Sequence, residues 1–369
     1  MMEKALKRVI LSAGGTGGHI FPAVAVAREI KRRNPNCEIL FVGAEGRMEM
    51  EKVPQSGFEI QGLPIAGLQR KLTLKNLLLP FKIWKSLKKA KSIIQSFKPQ
   101  VVIGFGGYAS GPTLRVAARL GIPTLLQEQN SYAGVTNKLL AKLAKRICVA
   151  YDGMDAFFPK EKIVHTGNPV RIEFVDLPYT KSEARKKLNL KEQQRTILVI
   201  GGSLGACAVN EAVEASLDLW EREGFQIIWQ CGKTYKEQLH LKYPDTEARL
   251  LVDFIQDMAL VYAAADVVIS RAGAMSVSEL CLVGRPVVFM PSPNVAEDHQ
   301  TKNAMALVSQ GAAMLIKDSE GKVKLGNEVA ALLKDNDAME KLSRSIRNLA
   351  KPRATSEIVD LIEEAVYGD

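Results

Sequence analysis

Two stretches, residues 9–22 and 196–206, share a construction that few folds can use. In the first, an apolar run at 9–11 ends in four glycines around Thr16, and apolar residues then recur at Ile20, Val24, Ala27 and Ile30. That sequence reads as a strand, a tight turn and the start of a helix. In the second, Thr196-Ile-Leu-Val-Ile200 runs straight into Gly201-Gly-Ser-Leu-Gly-Ala206 and another helical pattern. Around them, short β-rich runs at 39–42, 101–103, 124–126, 147–150 and 267–269 alternate with amphipathic helices. This is the rhythm of parallel sheets covered on both faces. A break from Thr166-Gly-Asn-Pro through Leu177-Pro178-Tyr179 divides the pattern. The expectation is an α/β chain of two doubly wound domains, 1–166 and 167–369, facing each other, with the helical tail after Asn327 placed to pack back across the linker. The length of 369 residues agrees, because single cores usually stop growing at roughly 250–300 residues.

Charge narrows what such a chain meets. The net charge is +10, yet residues 1–166 carry net +15 and the remainder net −5. No acid stands between Glu59 and Glu128, an interval holding eleven Lys and Arg. The first domain therefore suits an anionic partner: nucleic acid, a membrane face or a phosphorylated substrate. Five scattered cysteines without Cys-x-x-Cys fit a reducing compartment better than a disulfide framework or zinc ribbon. The apolar run after Lys4, Lys7 and Arg8 dies in glycine too soon for a signal peptide, and no stretch of 18 apolar residues exists to span a bilayer.

The Gly-rich turns are where chemistry would sit. In Gly14-Gly-Thr-Gly-Gly-His19, glycines let successive N–H groups approach an anion beside a helix N-terminus, and His19 adds a group able to move a proton near neutral pH. The same residues also fit a plain turn with a surface histidine. Gly104-Phe-Gly-Gly-Tyr108 is a second such turn after a strand, and Gly201-Gly-Ser203 a third. None has glycine in the Gly-x-Gly-x-x-Gly frame, which disfavours a dinucleotide fingerprint and with it a nicotinamide-dependent oxidoreductase. After the run 267–269, Gly273 frees the backbone so that Ala274, Met275 and Ser276 can present helix N-terminal groups to a phosphate. Glu279 follows one turn later, placed to accept both hydroxyls of a ribose or to be a solvated helix acid. Asp298, His299 and Gln300 suit sugar hydroxyls; a metal triad is the rival, but Glu297, Asp298 and His299 are adjacent and cannot all point at one ion. Glu128-Gln-Asn130 ends a strand at a sheet's carboxyl edge, where such folds bind ligands.

Taken together, Gly14-Gly-Thr-Gly-Gly-His19, Gly104-Phe-Gly-Gly-Tyr-x-Ser-Gly-Pro112, Glu128-Gln-Asn130, Gly167-Asn-Pro-Val-Arg171, Gly201-Gly-Ser-x-Gly-Ala206, Arg271-x-Gly-Ala-x-x-x-x-Glu279 and His299-Gln-x-x-Asn-Ala304 resemble the MurG family, the peptidoglycan N-acetylglucosaminyltransferases. The resemblance covers nearly the whole chain in order. It implies a GT-B fold, with UDP-N-acetylglucosamine held by the C-terminal domain and a lipid-linked muramoyl-pentapeptide acceptor by the N-terminal one. The reaction implied is inverting transfer to the acceptor's 4-hydroxyl, or, as the nearest alternative, transfer by another GT-B enzyme to a different lipid acceptor. Carried over, Arg171 and Ile255 would hold the uracil region, Glu279 the ribose, and Ser203 with Ala274, Met275 and Ser276 the diphosphate. Gln300 and Asn130 would contact the sugar, and Thr16, Gly17 and Gly18 would line the junction. Gly14, Gly15, Gly104, Gly106, Gly107 and Tyr108 would cradle the acceptor's pyrophosphate, with His19 as base and Glu128 as the second choice. The resemblance implies neither metal nor cofactor, no nucleic acid, a peripheral place on the cytoplasmic face of the cell membrane, and association with cell-wall synthesis and division.

A bilayer-anchored acceptor gives weight to the stretch 73–97, where Leu77, Leu78, Phe81 and Trp84 recur at helical spacing among Lys82, Lys85 and further lysines. Such a segment can lie in the headgroup plane of an anionic leaflet, although its aliphatic residues beyond Leu87 fit equally well as a cover for the sheet. Pro80 is expected to kink or divide the helix.

Overall fold

The computed structural model describes residues 5–65 and 79–368. The chain forms two compact units, one made of residues 1–170 and 353–369, the other of 171–352. The first division falls after Val170, because Thr166, Asn168 and Val170 are buried and the Asn168 amide donates to the Gln129 carbonyl at 3.0 Å.

In the first unit, strands β1 (Arg8–Ser12), β2 (Glu38–Ala44), β3 (Glu59–Leu63), β4 (Val101–Gly104), β5 (Thr124–Glu128), β6 (Arg146–Val149) and β7 (Ile163–His165) form one parallel sheet in the order β3-β2-β1-β4-β5-β6-β7. The β1 run Val9-Ile-Leu11 is wholly buried because both faces are covered. Val9 and Leu11 pack with Ile20, Val24 and Ala27 of helix Gly17–Arg33, and with Ile358 and Ile362 of the returning helix Ala354–Tyr367. Ile10, on the opposite face, packs with Ile93 and Ile94 of helix Leu79–Phe97 and Leu114 of helix Ser110–Arg119. Arg33 holds the returning helix through Asp360 at 2.5 Å and Glu363 at 3.3 Å.

The second unit repeats the plan. Strands β8 (Thr196–Ile200), β9 (Gln226–Gln230), β10 (Arg249–Val252), β11 (Val267–Ser270), β12 (Val287–Phe289) and β13 (Met314–Leu315) are parallel in the order β10-β9-β8-β11-β12-β13. In each sheet the strand order reverses beside the first strand, between β1 and β4 and again between β8 and β11. Chains leaving neighbouring strands there run to opposite faces, which opens the crevice where such sheets take ligands. The three Gly-rich turns singled out in the sequence, and the turn of Gly273, leave these four strands.

Candidate functional site

In the first unit the turns after β1 and β4 lie against each other. Gly106 and Gly107 have φ of +99° and +86°, a conformation that side chains rarely adopt. A Cβ on Gly106 would come 3.0 Å from His19 Nε2, and one on Gly107 would strike the Gly14 carbonyl. His19 lies in the first turn of helix Gly17–Arg33, whose N-cap, Thr16, makes no side-chain capping bond. Its Nδ1 is 2.8 Å from the Gly14 carbonyl oxygen. A carbonyl only accepts, so Nδ1 carries the proton in the neutral ring and Nε2 keeps its lone pair.

Glu128 is differently placed. It is buried, and its Oε1 accepts from the Asn130 backbone N–H at 3.2 Å and from Asn130 Nδ2 at 3.4 Å. Its Oε2 accepts from the Gly134 N–H at 3.0 Å and Asn137 Nδ2 at 2.9 Å. Four donors leave this carboxylate ordering the loop from β5 to helix Val135–Leu140. Gln127 and Gln129 extend the network, Gln127 donating to Asn168 Oδ1 at 2.9 Å and Gln129 to the Phe105 carbonyl at 2.9 Å. The Gly104–Tyr108 turn and the 167–170 segment are thereby tied to the end of β5.

No sequence pattern singles out Glu49. This fully buried carboxylate accepts from the Gly15 N–H at 2.9 Å and the Ala44 N–H at 2.9 Å. The Gly15 N–H, expected to face an anion, is therefore already occupied by one.

In the second unit a cluster forms around Glu279 in helix Ala274–Val283. The Arg171 guanidinium lies over the Phe174 ring, 4.4 Å from its centroid, and 3.0 Å from the Glu173 carboxylate. Phe174 meets the buried Tyr262 edge to face at 5.5 Å. Desolvation pushes the Glu279 carboxyl up to about 7, with Arg171 opposing and Glu173 adding to the shift. Burial also holds the Tyr262 hydroxyl well above its ordinary value, Glu279 reinforcing this and Arg171 opposing it. The helix begins after its N-cap Gly273, which has no side chain to cap it, and Ala274, Met275 and Ser276 form its first turn. Arg271, just before it, is engaged elsewhere: it donates to Asp318 through both terminal nitrogens, at 2.5 and 3.1 Å, and to the Met290 carbonyl at 2.7 Å.

The remaining expected residues fall around this helix start or beyond it. Ser203 is exposed between Gly202 and Gly205, both at φ +83°. Ile255 is buried in the segment after β10. Gln300, in helix His299–Val308, accepts the Ser292 N–H on Oε1 at 2.9 Å, which sets its amide NH2 as the end that can donate to a hydroxyl. The Asn303 amide reaches the Ala272 carbonyl at 3.3 Å and ties that helix to the turn after β11. A cavity of about 660 Å³ lies at the other end of the Ala274–Val283 helix, lined by Phe174, Lys181, Val283, Arg285 and Arg347 among others and by none of the expected donor residues. Among the described residues no three His, Cys, Asp or Glu side chains converge as metal ligands would.

Helix Leu79–Phe97 is buried along part of its later half and exposed near its start. Ala90, Ile93 and Ile94 are buried in the core, whereas Phe81 and Trp84 are 56% and 57% exposed. These two rings stack at 6.0 Å, with Lys85 over Phe81 and Lys88 over Trp84. Pro80 is the second residue of helix Leu79–Phe97, and the residues before it, where the expected kink or division would fall, lie outside the described residues. Leu77 and Leu78 lie outside the described residues. Among the described residues no helix is long and apolar enough to cross a membrane.

Comparison with known proteins matches residues 9–149 to the glycosyltransferase family 28 N-terminal domain and 196–362 to the family's C-terminal domain. The UDP-N-acetylglucosamine–N-acetylmuramyl-(pentapeptide) pyrophosphoryl-undecaprenol N-acetylglucosamine transferase of Flavobacterium psychrophilum is 54% identical over 97% of this chain and 98% of its own. The protein of the same name from Porphyromonas gingivalis is 52% identical over 99% of this chain and 97% of its own. The crystal structure of Acinetobacter baumannii MurG superposes with a TM-score of 0.78 at 34% identity, covering 97% of this chain and 99% of that one. With two Rossmann-like units of matching strand order, both family domains in sequence and relatives above half identity along the whole length, the chain belongs to the MurG family of GT-B glycosyltransferases.

Proposed function

We propose that the protein transfers N-acetylglucosamine from UDP-N-acetylglucosamine to the 4-hydroxyl of undecaprenyl-pyrophosphoryl-N-acetylmuramyl-pentapeptide, with inversion at the sugar. The observation that carries the catalytic part is the 2.8 Å contact of His19 Nδ1 with the Gly14 carbonyl, from which Nε2 follows as the base beside the turn after β4. The acceptor oxygen forms the new bond to the anomeric carbon, the bond from that carbon to the diphosphate oxygen breaks, and its electron pair leaves with UDP. The hydroxyl proton passes to His19 Nε2, and the imidazolium is held by its Nδ1–H bond to Gly14. Glu128, with four donors on its two oxygens, orders the loop carrying Asn130 rather than taking the proton.

In the second unit, Arg171 and Ile255 hold the uracil and Glu279 the ribose. The N–H groups of Ala274, Met275 and Ser276, with Ser203, meet the diphosphate where charge grows as UDP departs. Gln300 donates to the sugar, and Asn130, Thr16, Gly17 and Gly18 are assigned to donor binding. The acceptor's pyrophosphate is assigned to the turn of Gly104, Gly106, Gly107 and Tyr108, without Gly14, whose carbonyl holds His19, or the Gly15 N–H, which Glu49 takes. Phe81, Trp84, Lys82 and Lys85, joined by Leu77 and Leu78, make the contact with an anionic leaflet, placing the enzyme peripherally at the cytoplasmic face beside other cell-wall synthesis proteins.

The test is incubation with UDP-N-acetylglucosamine and a short-chain lipid-linked muramyl-pentapeptide, with mass analysis of the product and proton NMR of the new glycosidic bond. A mass gain of one N-acetylhexosamine in β linkage is expected. Transfer to diacylglycerol but not to the muramyl acceptor would overturn the assignment.

A further inference from the structure

The carboxylate of Glu49 is fully buried, yet no lysine, arginine or histidine is paired with it among the ion pairs of the described residues. Its partners are two backbone donors, the N–H groups of Gly15 and Ala44, both at 2.9 Å. Two glycines make room for it. A Cβ on Gly14 would collide with the Glu49 carboxylate, and a Cβ on Gly43 would collide with its methylenes. Neither glycine has positive φ, so neither is required by backbone conformation. Their shared property is the space they leave for this side chain.

That placement couples Glu49 to the catalytic histidine. The peptide between Gly14 and Gly15 carries both ends of the relay: its N–H, on Gly15, donates to Glu49, and its carbonyl, on Gly14, accepts from His19 Nδ1 at 2.8 Å. A carboxylate gripping the N–H fixes the plane of that peptide, and so the direction in which the carbonyl points. It also polarises the carbonyl, strengthening its hold on the Nδ1 proton. We infer that Glu49 is a positioning residue for the transfer reaction, setting the tautomer and orientation of His19 through the Gly14–Gly15 peptide, and that Gly14 is glycine to admit Glu49 rather than to admit substrate.

This rests on His19 being the base, and the test separates the two. Glu49→Gln keeps size but cannot accept both N–H groups with both of its ends. It should lower kcat about 10- to 100-fold while KM for either substrate changes less than about threefold. The double variant Glu49→Gln, His19→Ala should be no slower than His19→Ala alone, since a relay has nothing to act on once the ring is gone. With only four histidines in the chain, ¹⁵N spectra of the ring nitrogens should show His19 shifting from Nδ1–H toward Nε2–H in Glu49→Gln. Gly14→Ala should impair kcat in the parent but add nothing to Glu49→Ala, where the collision is absent.

A folded Glu49→Gln with parental kcat and an unchanged His19 spectrum, while His19→Ala is slow, would overturn the inference alone. An unaffected His19→Ala would instead remove the base assignment beneath it. Should Glu49→Gln fail to fold, Glu49→Asp and the Gly14→Ala pair decide: a double variant Gly14→Ala, Glu49→Ala slower than Glu49→Ala means that Gly14 serves the substrate.

Discussion

His19 Nδ1 lies 2.8 Å from the carbonyl oxygen of Gly14, five residues earlier in the same turn. The bond is local, so the tautomer is fixed by the loop that carries the histidine and does not wait for substrate. General-base catalysis typically contributes ~10²–10⁴-fold, and His19→Ala should lower kcat by that order while leaving UDP affinity unchanged, because the residues assigned to the uracil, ribose and diphosphate sit in the other unit. Single-turnover rates and a UDP titration check both halves. A Glu128→Gln variant should behave otherwise, losing one acceptor oxygen of a four-donor network and so losing order in the 129–134 loop, read as faster amide exchange there together with slower turnover.

Glu279 gives a pH dependence whose sign follows from its environment. Its carboxyl is pushed up from the ordinary 4.5 to about 7, so between those values the folded, ligand-free protein holds a proton that the unfolded chain has released. Stability from this group is present below about pH 4.5 and is lost as pH rises toward 7. Accepting two ribose hydroxyls requires the ionised form. Binding of UDP-N-acetylglucosamine should therefore tighten as pH rises through about 7, approaching tenfold per unit below it, with proton release detectable by calorimetry in buffers of different ionisation enthalpy. Glu279→Gln should flatten the profile and weaken binding roughly tenfold to a hundredfold, the cost of about 1–3 kcal/mol for a desolvated polar group left unmatched.

The Arg271–Asp318 pair is a stability element beside the donor turn. Arg271 is fixed to Asp318 by two bonds and to the Met290 carbonyl by a third, locking the end of β11 to the end of β12. Charged hydrogen bonds in such a setting contribute about 1.5–3 kcal/mol. Asp318→Asn should lower the urea midpoint of the second unit accordingly and leave His19-dependent chemistry intact at saturating donor. An unchanged midpoint would reduce the pair to a surface contact.

The sequence carried the parts of this architecture that depend on local repetition. Both Gly-turn openings, at 9–22 and 196–206, were legible because strand, turn and helix signals adjoin, and both became the first strand of a sheet with the same order. Strands such as Glu59–Leu63 were not legible: an edge strand is half exposed, and Glu59-Ile-Gln-Gly-Leu63 has no continuous apolar run. Among site residues, glycines and motif polar groups stood out by pattern, but their pairings did not. Nothing in Arg47-Met-Glu-Met-Glu51 distinguishes Glu49 from a surface acid, because its role comes from two glycines supplied by other segments. The pairing of Glu128, second choice as base, was hidden for the same reason, its donors Gly134 and Asn137 lying beyond the Glu128-Gln-Asn130 motif.

Helix Leu79–Phe97 makes the prediction that joins the fold to the membrane. Its later half is anchored by Ala90, Ile93 and Ile94 in the core, so the exposed Phe81 and Trp84 are carried on a fixed support. Stacked together at 6.0 Å with Lys85 and Lys88 over their faces, they present an apolar tip within a basic rim. A large apolar side chain contributes about 1.5–3 kcal/mol when fully buried, and each basic residue at an anionic surface on the order of 1 kcal/mol. Two rings and a few lysines suffice for reversible attachment. The parent should sediment with vesicles containing anionic lipid, less so as salt rises, and a Phe81→Ser, Trp84→Ser variant should lose that binding while retaining UDP affinity and thermal stability, because neither ring contributes to the core. Lys82→Glu with Lys85→Glu should weaken the salt-dependent part alone. If the double serine variant sediments as the parent does, the membrane contact belongs to another surface.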